Sequence, residues 1–182
     1  MFIATERTPN PATLKFLPGQ TVMEQGTQNF ADKDAADMSP LATALFELEN
    51  VSGVFFGADF ISVTQDGDDW ARLKPMVLGL IMDHFTSNIP LFHPTAKVAS
   101  EETAEDDDEI VVQIKELLDT KVRPAVAQDG GDIVFHGFEE GIVYLHMQGA
   151  CAGCPSSTMT LKSGIENLLR YYVPEVSEVR AV

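Results

Sequence analysis

The sequence predicts an α+β fold of two small domains joined by an acidic linker. Apolar runs of strand length and apolar stripes of helical spacing occur on both sides of residues 95–109, and that central stretch carries seven carboxylates. Like charges at this density repel each other and extend the backbone. The 182 residues are 45% hydrophobic and 22% charged, which is typical of a chain with a core. We expect a first domain over 1–94, a flexible linker over 95–109 and a second domain over 110–182.

The first domain is predicted as β-β-α-β-β-α in two layers. Pro9 and Pro11 mark a turn, because proline fixes φ and has no N–H for a strand ladder. Ser39-Pro40 has the pattern of an N-cap followed by proline at the first helical position. The expected elements are strands at 2–5 and 13–17, a helix from Pro40, strands at 51–56 and 60–64, and a helix from Trp70 to Phe85.

The second domain is predicted as α-β-β-α-β, a three-stranded sheet with helices on one face. Pro124 should terminate or kink its first helix. Glu139-Glu140-Gly141 is a hairpin signal between two strands. The expected elements are a helix over 110–122, strands at 133–135 and 142–145, a helix from near Pro155 and a short strand within 176–182.

The charge balance excludes several classes of function. Twelve Lys and Arg residues stand against 28 Asp and Glu residues, which gives a net charge of −16 and a pI near 4.4. Such a chain repels nucleic-acid phosphates and anionic lipid surfaces, so we expect neither as a partner.

No apolar run approaches the ~18 residues of a membrane helix. The first residues resemble neither a signal nor a transit peptide, which favours a bacterial cytoplasmic protein or a processed mitochondrial matrix form.

Cys151 and Cys154 are the only cysteines, and their spacing indicates metal or redox chemistry rather than a disulfide framework. Gly149, Gly153 and Pro155 favour an exposed loop around them. Pro155 suits the first position of a helix, which would make Cys154 the N-cap. A helix N-terminus favours anions, so we expect the pKa of both thiols to be lowered.

Two thiolates do not complete a common metal site, because structural zinc and iron–sulfur clusters each take about four ligands. His136 and His146 lie on the two predicted strands before the motif and could complete a Cys2His2 site within one chain. Alternatively, the cysteine pairs of two chains could meet across a two-fold dimer. A cluster held in that way would be labile, because an incoming thiolate could replace its ligands stepwise.

Two other functions fit the same cysteine pair. In a thiol–disulfide redox module, Cys151 would be the nucleophile and Cys154 the resolving thiol. In a structural site, zinc would bridge two chains. The chain after Cys154 is short for a thioredoxin-like fold, which disfavours the redox reading.

The residues around the motif also carry a family resemblance. The run Gly149-Ala150-Cys151-Ala152-Gly153-Cys154-Pro155-Ser156-Ser157, its continuation over 160–166, Val122-Arg123-Pro124 and Asp129-Gly130-Gly131-Asp132 resemble the NifU C-terminal (Nfu) domain. The segments 8–16 and 39–42 resemble the amino-terminal domain found on Nfu proteins.

This resemblance implies a non-enzymatic iron–sulfur cluster scaffold or carrier. The carrier would hold a labile [4Fe–4S] cluster between two subunits through Cys151 and Cys154, and a [2Fe–2S] form stays open. Apo iron–sulfur enzymes would receive the cluster, and upstream scaffold or chaperone proteins are further expected partners. Residues 1–94 contain no cysteine, so that domain would select clients or stabilise the fold or the dimer.

Overall fold

Two structural units make up the chain, Met1–Ser100 and Glu101–Val182. The computed structural model describes residues 1–95, 108–152 and 155–182, with the side chains of the last range from residue 158 onward. The predicted linker lies almost entirely outside the described residues, so the domain boundaries stay predictions. The α+β class is confirmed, because each unit combines one β-sheet with helices.

The first unit is a five-stranded antiparallel sheet with helices packed on one face. Its strand order is β1-β2-β5-β4-β3. The elements are β1 Ala4–Arg7, β2 Thr13–Leu17, β3 Gln28–Phe30, α1 Lys33–Ala36, α2 Pro40–Phe46, β4 Val51–Phe56, β5 Ile61–Gln65 and α3 Trp70–Thr86.

The predicted strands and both long helices of this unit are present, with ends shifted by a few residues at most. Ser39 caps α2 as expected, because its Oγ accepts a hydrogen bond from the N–H of Ala42 at 3.2 Å. Two short elements, β3 and α1, were not predicted. Both are too short to show a hydrophobic period, and a side-chain cap from Asp32 to the N–H of Ala35 at 2.8 Å holds α1.

A core of aromatic and aliphatic side chains fills the space between this sheet and its helices. Phe30 and Phe56 meet edge to face at 4.9 Å between ring centroids. The stripe predicted on α3 faces this core through Leu73, Val77 and Ile81, and the same stripe continues to a buried His84.

The second unit is a three-stranded sheet in the order β6-β7-β8, with its core between the sheet and the helices. β6 and β7 are antiparallel, and β8 returns parallel to β7 after the helix that follows the cysteine motif. The elements are α4 Glu109–Leu117, a π turn Leu118–Val122, α5 Arg123–Gln128, β6 Gly131–Glu139, β7 Ile142–Gly149, α6 Pro155–Tyr172 and β8 Glu178–Ala181.

The helical segment of this unit continues past Pro124, so the first of the two predicted outcomes, termination at Pro124, is wrong. Pro124 lies in the first turn of α5, directly after the π turn, whose wider hydrogen-bonding pattern accommodates the missing N–H. The hairpin between β6 and β7 is confirmed, because Glu140 and Gly141 both have positive φ angles, as a tight two-residue turn requires. None of the helices in the described ranges has the length and hydrophobicity needed to cross a membrane.

Candidate metal centre around Cys151

The cysteine motif lies between the end of β7 and the start of α6, as the sequence analysis predicts. Gly149 has φ +62° and turns the chain after the strand. The N–H of Cys151 donates to the carbonyl of Gln148 at 3.3 Å, and the N–H of Ala152 donates to Gly149 at 3.1 Å. Gly153 and Cys154 lie outside the described residues. α6 begins at Pro155, so the expected helix start is confirmed.

Cys151 is buried, with 6% of its surface exposed, and its side chain belongs to the core of the second unit. The expectation of an exposed cysteine is therefore wrong for this residue. The reason is the space above Gly131, where a Cβ atom would lie 2.5 Å from the Sγ of Cys151. Because glycine has no side chain, β6 leaves room for the sulfur to turn inward.

The expected low pKa of Cys151 is also wrong. Its pKa is raised to about 12, first by burial and then by the negative charges of Asp129 and Asp132. In this conformation the sulfur is a protonated thiol at neutral pH. A metal that binds this sulfur must therefore displace its proton.

An ion pair with a buried carboxylate fixes the strand beside Cys151. Arg123 donates two hydrogen bonds to the carboxylate of Asp132, from Nε at 2.9 Å and from Nη2 at 2.7 Å. The Asp132 side chain is only 4% exposed, and its Oδ1 also accepts from the N–H of Ile133 at 2.8 Å. Such a bidentate pair holds the end of the π turn against the first residues of β6.

Further hydrogen bonds join this corner to the cysteine loop. The N–H of Ala150 donates to the carbonyl of Gly130 at 3.2 Å, and the hydroxyl of Thr158 on α6 donates to the carbonyl of Cys151 at 3.1 Å. From the sequence, Arg123 and Asp132 could be recognised only as part of a family pattern, with no role assigned to either residue. Their nine-residue separation carries no periodic signal that would indicate a pair.

The two histidines of the Cys2His2 hypothesis are exposed and lie away from the core. His146 is flanked on β7 by Leu145 and Met147, which pack in the same core as Cys151, so strand alternation places His146 on the opposite face. Its Nδ1 lies 2.9 Å from the carbonyl oxygen of Val182. In the described part of the chain, no three His, Cys, Asp or Glu side chains are grouped to hold a metal ion.

Comparison with known proteins identifies the family in both structural units. The family model described as "NifU-like domain" matches residues 114–180. The model described as "Scaffold protein Nfu/NifU N terminal" matches residues 3–88. The two matches correspond to the two resemblances that the sequence analysis drew.

Individual relatives align over the whole chain. The Drosophila erecta protein named "NFU1 iron-sulfur cluster scaffold homolog, mitochondrial" is 53% identical over 184 residues, which are 100% of this chain and 65% of the relative. The human protein of the same name is 52% identical over 187 residues, which are 100% of this chain and 72% of the relative. The chain thus spans less than two thirds of the Drosophila protein's length.

Among solved structures, a NifU-like protein from Saccharomyces cerevisiae superposes with a TM-score of 0.46 at 22% identity. The match covers 52% of this chain and 86% of the yeast chain, and at this score it adds nothing to the assignment. The two family models and the full-length identity to the human relative are sufficient by themselves. The chain belongs to the Nfu/NifU family, with an Nfu/NifU N-terminal domain followed by a NifU-like domain.

Proposed function

We propose that this protein is an iron–sulfur cluster scaffold that binds a labile cluster through Cys151 and Cys154 of two subunits and transfers it to apo-proteins. The observation that carries the proposal is the full-length identity of about 52% to relatives named as iron–sulfur cluster scaffolds, together with a single Cys-x-x-Cys pair. Two sulfurs per chain are half of the set that a [4Fe–4S] cluster takes, so a second chain supplies the rest.

The local structure supports reversible binding. Cys151 rests in a core position with a high pKa, so loading the cluster exchanges a thiol proton for iron and release restores the buried thiol. The first turn of α6 follows Cys154 directly, and the N–H groups in the first turn of a helix stabilise negative charge, here that of the cluster and its thiolates. The protein acts in this proposal as a carrier and catalyses no bond change in its client.

Anaerobic reconstitution with iron and sulfide, followed by native mass spectrometry, tests the proposal. A bridged [4Fe–4S] cluster gives about two irons and two sulfides per chain in a dimer, and a [2Fe–2S] form gives about one of each. Cys151→Ser and Cys154→Ser should each abolish cluster binding. A dimer with about half a zinc per chain would indicate the structural zinc site, and a metal-free dithiol would indicate the redox module.

The first domain is proposed to select the client proteins. Deletion of residues 1–94 should leave cluster assembly unchanged and slow cluster transfer to an apo iron–sulfur enzyme. Unchanged transfer would leave this domain with a role in stability only. The relatives are named mitochondrial, which favours a mitochondrial matrix location over a bacterial cytoplasm, and fractionation of the source cells distinguishes the two.

A further inference from the structure

The first unit contains a cleft that the cluster site does not use. It has a volume of about 640 Å³ and lies between strand β1, the turn at residues 8–11 and the first turns of α3. We call it the β1 cleft. Arg7, Trp70 and Lys74 line it together with the Pro9 and Pro11 rings.

The β1 cleft concentrates positive charge in an acidic unit. Residues 1–95 hold twelve carboxylate side chains and five basic ones, and two of those five, Arg7 and Lys74, line this cleft. Within the described ranges, neither Arg7 nor Lys74 forms an ion pair. Glu6 also lines the cleft, but its carboxylate lies 3.5 Å from the Nζ of the buried Lys15. The cleft therefore has two cations available for an anionic ligand.

Strand β1, which lines the cleft, has an open edge. β1 is the outermost strand of its sheet and pairs with β2 alone, from Ala4 opposite Leu17 to Arg7 opposite Leu14. The backbone groups on its other side have no strand partner in the described part of the chain. An exposed strand edge of this kind pairs with an extended peptide through main-chain hydrogen bonds.

The Trp70 side of the cleft is rigid and aromatic. The indole N–H of Trp70 donates to the carbonyl of Pro11 at 3.3 Å, and the ring lies 6.5 Å from that of Phe16 between centroids. The turn itself is fixed from within, since the N–H of Ala12 donates to the Oδ1 of Asn10 at 3.0 Å. A wall that is already ordered loses little conformational entropy when a peptide packs against it.

We propose that the β1 cleft binds an extended acidic peptide segment of a partner protein. The segment pairs with the free edge of β1, its apolar side chains pack on Trp70, and its carboxylates contact Arg7 and Lys74. The net charge of −16 does not prevent this, because physiological salt screens charges beyond roughly 8 Å. Peptide binding in the β1 cleft does not involve the cluster ligands. An experiment can therefore support or contradict it independently of the scaffold function.

A fluorescence titration of the full-length protein tests this proposal. Trp70 is the only tryptophan, so its emission reports occupancy of the cleft directly. The probe is a capped synthetic peptide with the repeat Glu-Thr-Val-Thr, which places its Glu and Val side chains on the same strand face. The control peptide has Gln in place of every Glu. We expect a saturable change in emission with the Glu peptide, and at least about tenfold weaker binding of the Gln peptide.

The variants test which cations matter. Arg7→Gln/Lys74→Gln should weaken binding of the Glu peptide at least about tenfold, while Lys33→Gln, which removes an exposed lysine outside the cleft, should leave it unchanged. The proposal is overturned if the Glu peptide gives no saturable change, if the Gln peptide binds equally well, or if Lys33→Gln weakens binding as much as the double variant. In the last two cases, main-chain pairing or diffuse charge alone accounts for the affinity.

Discussion

Cys151 illustrates how one neighbouring residue determines the state of a reactive side chain. The motif sequence predicts an exposed thiolate, yet the missing Cβ of Gly131 lets the sulfur enter the core, where burial and two carboxylates raise its pKa to about 12. The resting thiol is thus protected from alkylation and oxidation, because only the thiolate is strongly nucleophilic.

We expect the apo protein to show this protection in its alkylation kinetics. In a Cys154→Ser variant, iodoacetamide should modify Cys151 on the order of a thousandfold more slowly at pH 8 than it modifies a thiol with the ordinary pKa of 9.0. The rate should rise about tenfold per pH unit from pH 8 to 10, as the thiolate fraction grows. Mass spectrometry of the modified peptide measures both, and a rate equal to that of a model thiol peptide would contradict the burial.

His84 is a second buried group with a shifted pKa. It continues the core stripe of α3, and its Nε2 has no hydrogen-bond partner in the described part of the chain. Burial lowers the pKa of His84, and the negative charge of Asp83 partly opposes this shift. The folded state therefore favours neutral histidine, whereas the unfolded chain takes up a proton near pH 6.5. The stability that depends on neutral His84 is present above about pH 6.5 and is lost as the pH falls below it.

This linkage predicts acid sensitivity of the first unit. The melting temperature reported by Trp70 fluorescence should fall between pH 7 and pH 5, and His84→Leu should remove most of that dependence. The substitution should also leave stability at pH 7 equal or higher, because it removes an unpaired buried polar group. A His84→Leu protein whose melting temperature still falls as steeply would place the sensitivity in other groups.

At the scale of elements, the corner between α5 and β6 holds the cysteine loop in place. A Cβ at Gly131 would meet the sulfur of Cys151 at 2.5 Å, the carbonyl oxygen of Gln148 at 2.8 Å and the N–H nitrogen of Cys151 at 2.9 Å. Two of these three atoms belong to the backbone, so they cannot move aside without a substantial cost in free energy. Gly137 lies on the same strand. Apart from its chain neighbours, no atom of the described residues would lie within 4 Å of a Cβ added there, so this glycine is a matched control.

Gly131→Ala should therefore lower the local free energy of opening of β6 and the cysteine loop by about 1–3 kcal/mol. Gly137→Ala should change it by less than about 1 kcal/mol. Hydrogen exchange read by mass spectrometry on peptides from the second unit measures both values. Equal effects of the two substitutions would show that the close approach of Gly131 to Cys151 is not the cause.

The Arg123–Asp132 pair gives a separate prediction for the same corner. Arg123→Gln leaves the buried Asp132 carboxylate without its cation and should destabilise the second unit by about 3–5 kcal/mol. Arg123→Gln/Asp132→Asn should lose less, because the unpaired charge is gone and the amide oxygen can still accept from Ile133. Arg170→Gln removes a more exposed pair with Glu166 and should cost about 0–1 kcal/mol.

Urea unfolding of the second unit, followed by hydrogen exchange, compares these three variants. If the double variant is less stable than Arg123→Gln, the loss of stability comes from the missing ion pair and not from an unpaired Asp132 carboxylate. A loss in Arg170→Gln as large as that in Arg123→Gln would point to the overall charge of the unit instead.

Elements with a local signal could be predicted from the sequence, and those held by tertiary contacts could not. Ser39 before Pro40 favours a helix start, and Gly141 favours the positive φ of a tight turn, so α2 and the β6–β7 hairpin could be predicted. The continuation of the helix through Pro124 depends on a π turn, which has no sequence signature. The inward position of Cys151 depends on Gly131, twenty residues earlier, and no local pattern reveals that contact.

At the scale of the whole molecule, charge opposes the assembly that the proposed function requires. Each chain carries a net charge of −16, and residues 108–182 alone hold eleven carboxylate side chains against six basic ones. Two such chains repel each other, and the cluster with its four thiolates adds further negative charge. The bridging bonds to iron must overcome this repulsion, which makes the loaded dimer sensitive to the ions around it.

We therefore expect salt to strengthen the proposed dimer. Raising NaCl from about 50 to about 300 mM shortens the screening length from more than about 10 Å to less than about 8 Å, and the dissociation constant of the cluster-loaded dimer should fall several-fold. Anaerobic analytical ultracentrifugation, monitored at the absorbance of the cluster, measures this constant. Sucrose at the same osmolality is the control, because it changes water activity without screening charge. If the dimer instead dissociates as salt rises, attractive ion pairs between the subunits hold it together, and the net charge of the chain plays no part in limiting the lifetime of the carrier.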